Sequence, residues 1–276
     1  MNRDDSKIVT LYNQVKMPVV GLGVWKADVG GDVETAVKIA VNGGYRLIDT
    51  ATIYENEIGV GQTLRELDIS REQLFITTKV WNTDQGYENT LQAFELSRKN
   101  LGLEYVDLYL IHWPIKATAI ETWRAMEHLY QQGYVKAIGV SNFEIEHLEF
   151  LMENCQVKPM VNQVEFHPHL TQKKLLQYCK QQEIQVQAWS PLMRGNIFEV
   201  PLIQHLAHKY HKTPAQIVLR WDLQHGVATI PKSIKSSRIQ ENIDIFAFEI
   251  EQADMDRVDA LNEDKRYGSN PNRYYE

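Results

Sequence analysis

Cysteine is scarce in this sequence, and other features that would assign a function class are missing as well. The 276 residues include two cysteines, Cys155 and Cys179, which form neither a C-x-x-C pair nor part of a metal-ligand cluster. We therefore expect both to be reduced structural residues. No apolar run reaches the roughly 18 residues of a membrane span. Residues 1–7 are polar and lack the apolar region of a signal peptide, so the cytoplasm is the expected location.

An excess of positive charge is also missing. The formal net charge is −7 at pH 7, which does not favour binding to nucleic acid or to an anionic lipid surface. The glycine pairs at 21–23 and 59–61 lack the third glycine of a dinucleotide-binding fingerprint, and the chain contains no P-loop. These absences argue against the usual loops that bind nucleotide phosphates.

Apolar segments typical of buried strands alternate with segments of helical periodicity. The strand segments are residues 18–25, 46–50, 75–80, 106–112, 135–140, 160–166, 184–190 and 228–232. The helical segments are residues 32–41, 57–67, 88–101, 119–130, 144–153, 172–181 and 213–223. Strands that are apolar throughout and separated by helices indicate a parallel sheet with both faces covered. Eight such units predict an α/β fold of the (β/α)8 TIM barrel type.

Two segments fall outside this alternation. Residues 8–20 predict a β-hairpin that turns at Asn13-Gln14 and plugs the lower end of the barrel, and residues 251–260 predict an extra C-terminal helix. The tail that follows, residues 266–276, is polar and contains Gly268 and Pro271, so we expect it to be mobile and the mouth of the barrel to be open. Because no linker interrupts the pattern, residues 1–276 are expected to form a single domain.

Polar residues stand at the carboxyl ends of the predicted strands, where barrel active sites lie. They are Asp49, Thr50, Lys79, His112, Ser141, Asn142, Gln163, Ser190, Lys232 and Ser233. A strand end that serves only to begin a turn more often carries glycine, asparagine or proline. Taken together, these residues predict a site at this end of the barrel.

Four residues near these strand ends suit the reduction of a carbonyl group. The hydroxyl of Tyr54 can protonate a developing alkoxide, although the ordinary tyrosine pKa of about 10 is poorly matched to neutral pH. The ammonium of Lys79 would make this phenol a stronger acid, and Asp49 would hold Lys79 in place. His112 could orient the carbonyl oxygen by donating a hydrogen bond. A structural ion pair and a core histidine are the alternatives.

Three segments resemble the signatures of the aldo-keto reductase family. The first is GYRLIDTA at 44–51 with Tyr54 behind it, the second is KAIGVSNF at 136–143, and the third is IPKS at 230–233. The resemblance extends over residues 8–265 and is closest to the bacterial branch with diketogluconate and glyoxal/methylglyoxal reductases. It implies an NADPH-dependent oxidoreductase, acting as a monomer, that reduces small aldehydes, ketones and α-dicarbonyls. The resemblance also implies the roles given above for Asp49, Tyr54, Lys79 and His112.

The resemblance further implies an NADPH site across the mouth of the barrel. The positions that match the family's cofactor-binding residues are Ser141, Asn142, Gln163, Trp189, Ser190, Leu192, Lys232, Ser233, Arg238, Glu241 and Asn242. Trp189 would stack on the nicotinamide. The cations of Lys232 and Arg238 would bind the 2′-phosphate and favour NADPH over NADH. The alternative for residues 232–242 is a solvated helix start.

Three tryptophans, Trp25, Trp81 and Trp113, flank strand ends and are expected to form the wall of a substrate pocket. With His112, they would suit a small, partly apolar carbonyl compound.

Two histidine clusters are candidates for metal sites. His167 and His169 follow Glu165 on a short loop, and three more histidines lie along a predicted helix between 205 and 211. Neither cluster has the spacing of a ligand set, so no metal is expected.

Two functions of other classes stay open. One is a catalytically silent barrel that binds NADPH as a sensor or as a subunit of a complex. The other is a hydrolase that uses Asp49 and Glu165, which would leave Lys79, Lys232 and Arg238 unexplained.

Overall fold

The computed structural model describes residues 7–275. Residues 1–6, which make up most of the polar N-terminal segment discussed above, and Glu276 lie outside the described residues. The strands of this region are β1 (Ile8–Thr10), β2 (Lys16–Pro18), β3 (Gly21–Gly23), β4 (Leu47–Asp49), β5 (Phe75–Val80), β6 (Val106–Ile111), β7 (Val135–Ser141), β8 (Val161–Glu165), β9 (Gln185–Trp189) and β10 (Ala228–Thr229).

The helices between and after the strands include every predicted helical segment and also Ser236–Ile243 and Asn272–Tyr275, which the periodicity did not predict. They are α1 (Asp32–Asn42), α2 (Glu57–Glu66), α3 (Tyr87–Leu101), α4 (Ala119–Gln131), α5 (Ile145–Met152), α6 (Lys173–Gln181), α7 (Pro201–Tyr210), α8 (Pro214–Gln224), α9 (Ser236–Ile243), α10 (Gln252–Asp259) and α11 (Asn272–Tyr275). Within residues 7–275, no helix combines the length and the apolar character needed to cross a bilayer.

Strands β3 to β10 pair in chain order, each parallel to the next. The ring is closed between its first and last strands by parallel bridges from Val20 to Thr229 and from Gly23 to Lys232. At the first bridge the Thr229 N–H donates to Val19 O at 2.8 Å. The predicted (β/α)8 barrel is therefore confirmed.

The apolar strands form this barrel because both of their faces are covered. Every residue of β4, β5, β6 and β8 is buried, and amphipathic helices pack outside them. In α4, for example, Trp123, Met126 and Leu129 recur every three residues and all are buried. Burying each such side chain contributes about 1.5–3 kcal/mol.

The N-terminal hairpin forms as predicted and covers the amino ends of the strands. Strands β1 and β2 pair antiparallel, with Ile8 opposite Pro18. In the turn, the Asn13 Nδ2 donates to Lys136 O at 3.0 Å, next to the first residue of β7. The predicted strand at 18–25 is too long, because Pro18 belongs to the hairpin and the barrel strand itself spans Gly21–Gly23. Glycine at position 21 avoids a clash, since the Cβ of any other residue there would lie 2.2 Å from Leu47 Cδ2.

The extra C-terminal helix is confirmed as α10, but the expectation of an open mouth is wrong. The tail folds back over the carboxyl ends of the strands, and the Tyr274 ring centroid lies 4.5 Å from that of Trp113. Tyr275 packs at 4.0 Å from the His147 ring. These two aromatic contacts could not be predicted from the polar composition of the tail.

Candidate active site

A cavity of about 720 Å³ opens at the carboxyl ends of the barrel strands. Almost all of the residues predicted for the site line it, from Asp49 and Tyr54 at one end to Glu241 and Asn242 at the other. The exceptions are Lys79, which is fully buried beside the cavity, and Thr50, which is fully buried as well. The topology brings these distant segments together because all the parallel strands end on the same side.

Lys79 and Asp49 form a buried ion pair on neighbouring strands. Lys79 Nζ donates to Asp49 Oδ1 at 2.6 Å and to Thr50 O at 2.9 Å. Burial, the largest single effect, would lower the pKa of Lys79, but the charge and hydrogen bond of Asp49 and the nearby Tyr54 together outweigh it, and the pKa is raised. The ammonium is therefore retained inside the barrel.

Tyr54 stands beside this ammonium on the short 3-10 turn Thr52–Tyr54 that follows β4. Lys79 Nζ lies 5.1 Å from the centroid of the Tyr54 ring. Burial raises the pKa of Tyr54 and the charge of Lys79 opposes this effect, but the pKa stays above its ordinary value. The expected net acidification of the phenol is thus absent, and the phenol holds its proton at neutral pH.

His112, the residue after β6, lies at the edge of the Tyr54 and Trp81 rings, with centroids 5.8 Å and 5.0 Å away. Burial, reinforced by the charge of Lys79, holds the pKa of His112 well below its ordinary value. The imidazole is therefore neutral and carries one N–H. Among the described residues its buried Nδ1 has no hydrogen-bond partner, which favours the tautomer with the proton on Nε2.

A chain of side-chain amides connects the ion pair to the next strands. Gln163 Nε2 donates to Asp49 Oδ2 at 2.7 Å and to Gln187 Oε1 at 2.8 Å. Because the amide nitrogen is committed, the oxygen of Gln163 is the atom available to a ligand. Gln187 was not singled out from the sequence, where the only signal was a glutamine inside an apolar strand.

The second part of this polar array orients Trp189. Asn142 Nδ2 donates to His112 O at 2.9 Å, and its Oδ1 accepts from Trp189 Nε1 at 2.8 Å. Asn142 adopts the left-handed conformation with φ 66°, which asparagine tolerates better than most residues. Ser141 Oγ donates to Gln163 O at 2.8 Å. The indole ring is consequently fixed at the cavity wall.

The far end of the cavity is positively charged. Lys232 and Arg238, two of the predicted phosphate-binding residues, are exposed there and form no ion pair within the described part of the chain. Ser233, Glu241 and Asn242 line the same end. Lys235 and Arg194, which the sequence did not single out, add two further cations.

The tryptophans predicted as pocket walls all line the cavity. Trp25 is 41% exposed, and its ring lies between two cations, with Lys26 Nζ 4.6 Å and the Arg194 guanidinium carbon 5.2 Å from the centroid. Ser190 and Leu192 extend the wall beyond Trp189.

The histidine clusters are not arranged around a common point. His167 Nε2 lies 3.1 Å from Glu165 Oε1 in the core, and His169 Nδ1 lies 3.1 Å from the Tyr267 hydroxyl. Within residues 7–275, no group of three or more His, Cys, Asp or Glu side chains is placed to hold a metal ion.

Comparison with known proteins gives consistent matches. The model of the Aldo/keto reductase family matches residues 20–263. A glyoxal reductase of Bacillus subtilis (strain 168) is 59% identical over 263 residues, 95% of each chain. The methylglyoxal reductase DkgA of Escherichia coli (strain K12) is 43% identical over 271 residues, 97% of this chain and 98% of that one. A crystal structure of a Gox0644 mutant in complex with NADPH is 42% identical and has a TM-score of 0.91, covering 96% of this chain and 97% of that one.

Proposed function

The chain belongs to the aldo/keto reductase family, and we propose that it uses NADPH to reduce small aldehydes, ketones and α-dicarbonyls to alcohols. The observation that carries this proposal is the position of Tyr54, whose ring centroid lies 5.1 Å from the Nζ of Lys79 in the buried ion pair with Asp49. Tyr54 faces a cavity whose other end carries two cations without ion-pair partners among residues 7–275.

The residues of this cavity fit NADPH. Lys232 and Arg238 would bind the 2′-phosphate by charge-assisted hydrogen bonds. Ser141, Asn142 and the oxygen of Gln163 would hold the nicotinamide amide, with the ring of Trp189 stacked on the nicotinamide. Ser190, Leu192, Ser233, Glu241 and Asn242 would complete the site. When bound, NADPH supplies the hydride.

The proton comes from the protein in this proposal. Tyr54 gives its phenolic proton to the carbonyl oxygen, so that a new O–H bond forms while the Tyr54 O–H bond breaks. Lys79 stabilises the resulting phenolate, which then takes a proton from water. Asp49 holds Lys79 in place. The neutral His112 donates its N–H to the carbonyl oxygen and stabilises the developing negative charge.

The substrate would lie against the wall formed by Trp25, Trp81 and Trp113. Aromatic walls with a few polar groups suit small apolar carbonyl compounds. Our proposal that the enzyme acts as a monomer rests on the family resemblance. Cytoplasmic localisation, the absence of nucleic-acid binding and the single-domain interpretation stay predictions from the sequence.

The two alternative functions fit the site less well. The hydrolase would need Asp49 and Glu165 to act together, yet Asp49 is committed to Lys79 and Gln163. Glu165 is fully buried and binds backbone N–H groups instead of lining the cavity. A silent sensor would not require Tyr54 beside Lys79.

Consumption of NADPH with methylglyoxal as substrate tests the proposal directly. We expect turnover that depends on both compounds, and tight binding of NADPH in a fluorescence titration. Binding without turnover would favour the sensor, and absence of binding would overturn the proposal.

A further inference from the structure

The buried carboxylate of Glu165 lies under the C-terminal segment 266–275, which we call the C-terminal strap. Glu165 ends β8 and is fully buried. Its Oε1 accepts the backbone N–H groups of Tyr267 at 2.6 Å and Gly268 at 3.0 Å. His167 Nε2 lies 3.1 Å from the same oxygen. Hydrogen bonds from backbone N–H groups to a carboxylate are charge-assisted and therefore strong.

The strap in turn contacts the proposed cofactor and substrate walls. Gly268 lies so close to Trp189 that a Cβ would stand 2.2 Å from the indole Cη2. At the other end of the strap, the Tyr274 ring lies 4.5 Å from the Trp113 ring. Gly268, Ser269 and Tyr274 all line the cavity. The position of the strap thus determines one wall of the cavity.

The other side-chain contacts that hold the strap lie nearer the surface. Arg266 pairs with Glu144, and the Tyr267 hydroxyl meets His169 Nδ1 at 3.1 Å. Both sites are part-buried, so water can replace their contacts when they are broken. The Glu165 hydrogen bonds are part-buried as well, but loss of this one fully buried carboxylate removes the acceptor of two adjacent backbone N–H groups at once.

We propose that Glu165 is a positioning residue that holds the C-terminal strap against Trp189 and Trp113 and thereby determines which substrates bind well. The inference rests on the proposed function, because it takes Trp113 as a substrate wall. Substrates long enough to reach Tyr274, such as aromatic aldehydes, gain binding energy from this wall. Methylglyoxal has only a methyl group beyond its two carbonyls, so it gains little binding energy from this wall and its reduction depends little on the strap.

The first test does not depend on activity. Hydrogen exchange of the backbone amides of Tyr267 and Gly268 is measured by mass spectrometry for the wild type, Glu165→Gln and Glu165→Leu. We expect exchange about tenfold or more faster in Glu165→Leu, with Glu165→Gln in between because its amide oxygen can still accept. Glu57→Gln is the matched control, since Glu57 is also buried but accepts from Thr78 Oγ1 far from the strap. Unchanged exchange in Glu165→Leu overturns the proposal.

The second test separates substrate binding from general damage. For Glu165→Leu we expect KM for 4-nitrobenzaldehyde to rise about tenfold, the lower range of what apolar pocket contacts contribute, and kinetics with methylglyoxal to change little. A chain shortened after Lys265 should show the same pattern, and adding Glu165→Leu to it should have no further effect. If the truncation and Glu165→Leu raised KM additively, Glu165 would not be acting through the strap, and the proposal would be contradicted.

Gly268→Ala guards against a folding defect in Glu165→Leu, because it alters the strap and leaves the Glu165 carboxylate in place. Its Cβ must displace Trp189 or the strap, so KM for the aromatic aldehyde should rise in this variant too. No rise in either variant overturns the proposal. A wild type that reduces neither aldehyde defeats the proposed function instead, while the exchange measurement still decides whether Glu165 holds the strap.

Discussion

Lys79 Nζ lies 2.6 Å from Asp49 Oδ1, and the two side chains are 0% and 2% exposed. Removing both charges from water is costly, so a buried pair of this kind adds little to stability by itself. Its consequence is a positive charge fixed beside Tyr54, which opposes the effect of burial on the phenol. The geometry therefore favours a chemical role for the pair over a stabilising one.

Single and double substitutions of this ion pair should separate stability from activity. Asp49→Asn leaves the Lys79 ammonium without its counter-charge and should lower the free energy of unfolding by about 3–5 kcal/mol. The double variant Asp49→Asn, Lys79→Met should recover much of this loss, yet remain inactive because the positive charge beside Tyr54 is gone. Urea unfolding and turnover of methylglyoxal measure the two effects. Recovery of activity in the double variant would contradict the role given to Lys79.

Cofactor choice should depend on the exposed cations at the far end of the cavity. Arg238→Ala and Lys232→Ala each remove a charge-assisted contact, worth roughly 1.5–3 kcal/mol, so NADPH should bind about ten- to 150-fold more weakly. Binding of NADH should change little. Lys235→Ala is the matched control, because Lys235 lines the same end but does not match a predicted phosphate-binding position. Equal losses for both cofactors in a fluorescence titration would refute the assignment.

His112 should make folding stability depend on pH. Its pKa is lowered well below the ordinary value in the folded protein, so below about pH 6.5 the unfolded chain takes up a proton that folded His112 does not. The free energy of unfolding should therefore fall with falling pH, by up to about 1.4 kcal/mol per pH unit from this group. The pKa values of His147 and His169 are lowered too, so His112→Gln should reduce the slope without abolishing it. Identical slopes in urea unfolding from about pH 7.5 to about 5.5 would show that His112 is not the source.

Substrate range should follow from the limited size of the cavity and from the strap. Activated small carbonyls such as methylglyoxal, glyoxal and nitrobenzaldehyde should be turned over, with KM values of simple aliphatic aldehydes in the millimolar range because these molecules have few atoms beyond the carbonyl to contact the wall. Steroids should be poor substrates, since the strap covers part of the mouth and residues 7–275 offer no long loop there to bind them. Micromolar KM for a steroid together with negligible turnover of dicarbonyls would contradict this expectation.

Much of the barrel and the cavity lining could be predicted because both depend on regular features of the sequence. Apolar strands with helices between them imply parallel order, and polar residues at strand ends such as Asp49, His112 and Gln163 then converge without further information. The family comparison confirms the resemblance found in the three sequence segments.

The features that were missed depend on contacts between distant parts of the chain. Nothing in the pattern around Glu165 indicates that its carboxylate binds the backbone of Tyr267 and Gly268, since any residue can supply a backbone N–H group. The tail was expected to be mobile from its composition, but Tyr274 finds an apolar partner in Trp113. The raised pKa of Tyr54 depends on the degree of burial, which the sequence does not specify.

Comparison of Tyr54→Phe with the wild type tests the central claim most directly. The substitution removes the phenolic hydroxyl and keeps the ring, so NADPH should bind with unchanged affinity in a fluorescence titration. The value of kcat for methylglyoxal should fall by roughly 10²–10⁴-fold, as expected for the loss of a general acid. A variant that binds NADPH and retains most of the wild-type kcat would contradict the assignment of Tyr54 as the proton donor.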